Sequence, residues 1–168
     1  MERVEVNDGL ELSNREVRDA LRKCVEIQQD EAFQPGSQSP YLEALMVLLL
    51  INVKDVLIRA DKDGCRVDFS DDIDKVPGKI DDVTDLICSA RNVACHIFSD
   101  GKQIAEGSRL SFAFMHGYCP GVISIGDLHL GNPYHDDVAV YFGRYRFYLH
   151  RHLIRAVNQL VEIYGLEY

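Results

Sequence analysis

The sequence predicts a mainly α fold: a four-helix bundle with a small β-hairpin or sheet insert before the last helix. Three observations predict it. Helical-period hydrophobic patterns fill most of the chain up to residue 98 and return over 146–164. Between them, residues 102–142 switch to short runs that alternate with period two. The chain has 168 residues, 46% of them hydrophobic, which suits one domain spanning 1–168 with a core of its own.

The first helix is expected over 14–33. Asn14 can cap it, and Val17, Leu21, Cys24, Val25 and Gln28 keep roughly helical spacing among charges. Residues 34–40 read as a loop, rich in Pro, Gly and Ser. The second helix is expected from Ser39, with Pro40 in its first turn, to about Asp61. Residues 44–51 are apolar all round, so this helix is central or lies at a dimer interface. Asp63-Gly64 ends it. Residues 65–80 are irregular and carry an acidic cluster, Asp71, Asp72 and Asp74, read as a solvated turn.

The third helix is expected from Asp81 to about Phe98, with Asp81, Asp82 and Asp85 at the positive end of its dipole. Ser99-Asp-Gly101 stops it. In the β segment, Arg109-Leu-Ser-Phe-Ala-Phe-Met115 and Val122-Ile-Ser-Ile125 read as a hairpin, and Asp137-Val-Ala-Val-Tyr-Phe142 as a third strand. The final helix covers about 146–164, with Gly165 as its stop.

Charge narrows the function classes. Acidic residues outnumber Lys and Arg by 27 to 18, a net charge of −9, which disfavours nonspecific coating of nucleic acid. The excess is confined to residues 1–100, with 12 basic and 21 acidic residues; residues 101–168 hold six of each. A polyanion would therefore meet the C-terminal half. Five cysteines with no C-x-x-C pair predict reduced thiols and a cytoplasmic setting. The acidic start, MERVEVNDGLEL, does not read as a signal peptide, and no apolar run is long enough for a membrane span.

The third helix carries the most informative segment. On a helical wheel, Val83, Leu86, Ile87, Ala90, Val93, Ala94 and Ile97 form the core stripe. Asn92 lies nearly opposite, flanked by Cys88, Asp85, Cys95 and His96, and Arg91 sits at the boundary. The small residues there, Cys88, Ser89 and Cys95, would let another helix approach closely.

Arg91-Asn92-x-x-x-His96 on a helix, after a hydrophobic helix opening Ser39-Pro-Tyr-Leu, resembles the HEPN family (higher eukaryotes and prokaryotes nucleotide-binding). The resemblance covers roughly 14–164, with 102–142 as an insert longer than in compact members. It implies a HEPN-like bundle that pairs as a homodimer and cleaves RNA without a metal, as a toxin or antiviral-defence endoribonuclease. Arg91 and His96 would be catalytic and Asn92 would assist. An antitoxin or other defence-system protein would be a partner. In some members that work beside a nucleotidyltransferase antitoxin, a tyrosine follows the His by two residues as a modification target; here Phe98 stands there, which puts that route in doubt.

The chemistry suits these residue types. An imidazole can take the 2′-hydroxyl proton or protonate the leaving oxygen, and a guanidinium can stabilise charge on the phosphate. Arg144, Arg146, Arg151 and Arg155 are candidate substrate-binding residues, a phosphate-gripping wall, or else a solvated helix face. The plainer alternative for Arg91 and His96 is an interhelix salt bridge and a half-exposed histidine. At the level of function, the alternative is a noncatalytic HEPN module that dimerises and binds a nucleotide or a protein. A zinc site from His116, Cys119, His150 and His152 is disfavoured, because no close cysteine pair exists. No metal and no cofactor are expected.

Overall fold

The computed structural model describes residues 13–34, 37, 39–96, 100–126 and 128–167. Among these residues there are four α-helices: α1 (Asn14–Gln28), α2 (Leu42–Lys62), α3 (Val83–Cys95) and α4 (Arg155–Ile163). Seven strands lie between α3 and α4: β1 (Gln103–Ala105), β2 (Ser108–Arg109), β3 (Ala113–His116), β4 (Cys119–Ile125), β5 (Leu128–Asn132), β6 (Val138–Phe142) and β7 (Tyr145–Tyr148). The fold is therefore mixed α/β rather than mainly α. Its three sheets are small and open.

Each helix boundary has a local cause. The cap of α1 is Ser13, one residue before the expected Asn14. Its hydroxyl accepts from Glu16 N–H while the Glu16 carboxylate accepts from Ser13 N–H, a closed capping box. The helix ends at Gln28, short of 33, and a 3-10 turn at Glu31–Phe33 follows, opened by the Asp30 side chain on Ala32 N–H. The second helix starts at Leu42 rather than Ser39. Ser39 is spent on a turn: its hydroxyl accepts from Tyr41 N–H and its carbonyl from Leu42 N–H. At the far end Gly64, at φ +77, lets Cys65 N–H reach back to Ala60 carbonyl. The third helix begins at Val83 with Asp82 capping Asp85 N–H, as the acidic start implies. It ends at Cys95; Ile97, Phe98 and Ser99, which the sequence placed at its end, lie outside the described residues.

The core has two layers. Met46, Leu49, Leu50, Val53, Val56, Leu57 and Ala60 of α2 are fully buried, and α1, α3 and α4 pack round this helix. The antiparallel sheet β3-β6-β7 packs on the helices, with β6 and β7 against α3. Its central strand, β6, is buried at all five positions. Alternation explains how: Val138, Val140 and Phe142 face the helices, while Ala139 and Tyr141 join a second cluster with Met115, Leu130 and Tyr148 beneath the β4–β5 hairpin.

The strand pairing differs from expectation. The 109–115 run does not pair with 122–125. Arg109 belongs to β2, β3 pairs with β6 (Phe114 opposite Val140), and β4 pairs with β5. Residues 146–148, expected as helix, form β7, because Tyr145-Arg-Phe-Tyr148 alternates and pairs with β6 through the two-residue turn Gly143-Arg144. Gly143 has φ +58, and a Cβ there would stand 1.7 Å from the Gly101 carbonyl oxygen. The last helix then opens as a π-helical stretch, Leu149–Ile154, before α4 proper. Gly165 closes it at φ +59, as expected.

Candidate functional site at the end of α3

The chain around α3 is anchored at its start. Arg66 bridges Asp61 at the end of α2 to Asp82 and Asp85 at the start of α3, with contacts of 2.9, 2.8 and 2.7 Å. These bonds hold the guanidinium's pKa above its ordinary value, the Asp82 hydrogen bond foremost. Thr84 adds a buried bond from its hydroxyl to the Val67 carbonyl, 2.6 Å. The N-terminal end of α3 is thus anchored to the end of α2 and to the chain at Val67.

That last turn holds the motif. Val83, Leu86, Ile87, Ala90 and Val93 are buried as the wheel requires. Asn92 and His96 are exposed, and Arg91 is half-buried at the boundary. His96 is the first residue off the helix, with φ −111 and ψ 111. The one-turn relation between Asn92 and His96 is therefore not carried by helical backbone at His96. The Arg91 Nε atom is sealed from water and has no hydrogen-bond partner. No side-chain hydrogen bond or ion pair joins Arg91 or His96 to another described residue, so the salt-bridge alternative for this pair has no counterpart among them. Cys88, next to them on the helix, has its thiol pKa pushed up by burial, against the field of nearby Lys54 on α2.

The four C-terminal arginines are all engaged. Arg144 donates to the Ile104 carbonyl at 3.0 Å. Arg146 holds Asp74 at 2.9 Å and lies over the Tyr148 ring. Arg151 holds Asp136 at 3.0 Å with its guanidinium 3.7 Å above Tyr134. Arg155 holds Asp71 at 2.9 Å and sits 3.8 Å above Phe69. Arg146 and Arg155 thus clamp the acidic loop, which is a docked segment rather than a free turn. His152 completes the clamp from the buried side. Its Nδ1 accepts from Tyr148 N–H, and its Nε2 donates to the Asp71 carbonyl at 2.8 Å. Arg144 stands apart from the other three, beside Lys79, Asp100, Gln103, Glu106 and Tyr145 in a cavity of about 460 Å³.

Among the described residues, no three His, Cys, Asp or Glu side chains are placed to hold a metal ion. His152 is consumed by the clamp, and the Cys119 thiol rests on the Gly117 carbonyl. One cluster was legible in part: the zinc alternative groups His116 with His150 but misses His135. The topology gathers His116, His135 and His150, from three different segments, round a cavity of about 300 Å³ with Asp136 and Asp137. No helix among the described residues is long and apolar enough to cross a membrane. No protein-family model, curated protein or solved structure matches the chain.

Proposed function

We propose that the chain is a metal-independent endoribonuclease of toxin or antiviral-defence type, built as a HEPN-like homodimer, with Arg91 and His96 as its catalytic pair and Asn92 assisting. The observation that carries it is the state of Arg91. Its Nε is buried and unpartnered, as are those of Arg146 and Arg151, but its guanidinium meets no described residue through any other nitrogen, whereas Arg144, Arg146, Arg151 and Arg155 all have protein partners. A guanidinium with no protein partner, beside an exposed amide and an exposed imidazole, suits an anionic oxygen that reaches its terminal nitrogens rather than the sealed Nε.

In this reading His96 moves the proton, at the 2′-hydroxyl or at the leaving 5′-oxygen, and Arg91 stabilises charge on the phosphate. Asn92 orients substrate or imidazole. The products are a 2′,3′-cyclic phosphate and a 5′-hydroxyl. Leu48 and Ile58 are left exposed on α2, and pairing with a second copy through this helix would cover them. RNA is the substrate, and an antitoxin or defence protein is a fitting partner.

The engaged arginines favour a second reading, a noncatalytic module that dimerises and binds a nucleotide or protein. Three of the four supposed phosphate contacts are already held by carboxylates. One experiment separates the two: total RNA and tRNA incubated in EDTA with wild-type protein and with His96→Ala. The nuclease reading expects cleavage by wild type in chelator and a loss of about two to four orders of magnitude in the variant. Absence of cleavage, or equal cleavage by both proteins, leaves the binding module.

A further inference from the structure

We propose that the cavity at His116, His135 and His150 is a base pocket that takes a guanine of single-stranded RNA. This deepens the RNA reading above by naming the base the chain would hold. Its test is read as binding, so either reading can fail without the other.

The cavity encloses about 300 Å³, at the small end of ligand pockets, enough for one base with its ribose. Three imidazoles and two carboxylates suggest a metal at first sight, but no three of them are placed to hold one. Asp137 is committed: its side chain accepts from the backbone N–H groups of Val138, His150 and Arg151. A free phosphate fits no better. Arg151, the permanent cation beside the cavity, is held by Asp136 and Asp137 together, so the carboxylates would repel an anion.

What remains is recognition of a neutral, planar, polar group. A stacking element is present: the Tyr118 and His135 rings lie 4.7 Å apart at 14°, and Tyr118 is exposed. Adding a base to such a stack is a common way to hold single-stranded nucleic acid.

The hydrogen-bonding groups choose the base. His116 Nδ1 is sealed from water without a partner. With Nδ1 sealed, Nε2 is the ring nitrogen left to meet a ligand, and in the tautomer that carries the proton there it is a donor. Asp136, largely exposed and bonded once by Arg151, keeps acceptor capacity. A donor beside a carboxylate matches guanine: O6 accepts from the imidazole, and N1–H with N2–H₂ donates to the carboxylate. Adenine places an amino donor where His116 also donates, and cytosine and uracil lack the paired N–H donors beside an acceptor.

The test is titration of the protein with GMP, AMP and two 2′-O-methyl hexanucleotides, oligo-U with and without one central G, followed by calorimetry and by NMR of the histidine rings. The expected result is GMP binding roughly tenfold tighter than AMP. The G-containing strand should bind tighter than GMP, and both preferences should collapse in Asp136→Asn. Tyr118→Ala, a surface change, should weaken GMP and AMP alike while preserving the thermal midpoint. Equal binding of GMP and AMP, or a guanine preference that survives Asp136→Asn, overturns the proposal. GMP binding with no preference between the two strands overturns its RNA part.

Discussion

His152 shows how much one buried ring can decide. It is 1% exposed, and burial lowers its pKa below the ordinary histidine value. The hydrogen bond to the Asp71 carbonyl, and after it the charges of Asp72 and Asp137, pull the other way, with Arg146 adding to the depression. The unfolded chain binds a proton near pH 6.5 that the folded chain refuses, so stability is full above that pH and falls as pH drops through it. The thermal midpoint is expected to decline between pH 7 and 5.5, and His152→Gln, which keeps a donor toward the Asp71 carbonyl, should flatten that slope. An unchanged slope in the variant would place the acid sensitivity elsewhere. Arg91 invites a different test. If its forked donors hold a phosphate, Arg91→Lys should behave almost as badly as Arg91→Ala in cleavage assays, because an ammonium lacks the planar pair of donors. Full rescue by lysine would reduce Arg91 to a point charge. Both variants should stay folded, since Arg91 lies outside the buried stripe of α3.

At the scale of elements, the Arg66 clasp is the joint that orients α3. Its three carboxylates come from two helix ends, and Asp82 is only 10% exposed at the side chain. Arg66→Ala leaves Asp82 with its Asp85 N–H bond but no cation. The expected cost is about 2 kcal/mol, or roughly 4–8 °C in Tm at this chain length. Thermal melts showing under 1 °C of change would mean the cluster is solvated in solution. The elements also mark where sequence was readable. Helices α1 to α3 were legible because each carries a 3.6-residue stripe and a turn signal at its end. The β partners were not: alternation in 109–115 says which side chains share a face, but not that β3 would seek β6 across more than twenty residues rather than the nearer 122–125 run. Tyr145-Arg-Phe-Tyr148 satisfies both periods, and only the free edge of β6 makes it a strand. In the same way Arg91 and Asn92 could be placed from the wheel, whereas the end of the helix before His96 could not. Of the pocket histidines, 116 and 150 are grouped by the zinc alternative, whereas 135 joins them only through pairings that no short spacing encodes.

At the scale of the molecule, the outward side of α2 is the feature that asks for a partner. Leu48 is 45% and Ile58 37% exposed on a helix whose other face is fully buried. Light scattering at micromolar concentration is expected to report a dimer, since an interface of ordinary size holds there. Leu48→Glu should yield a folded monomer and, in the nuclease reading, an inactive one. A wild-type monomer would remove the composite site, and with it the reason to expect two histidines in one cleft.

The packing of α4 against α1 and α2 has a consequence for how the chain is made. The helix that closes the bundle over α1 and α2 comes after the seven described strands, so during synthesis the apolar surface of α1 and α2 that α4 covers waits exposed. Hydrophobic surface exposed that long is what chaperones bind and proteases cut. A nascent chain arrested after residue 145 should be digested readily, while one released with residues 149–163 clear of the ribosome should resist. Any cellular control of this protein's abundance thus has a window, before its last helix arrives, in which the chain is easily destroyed.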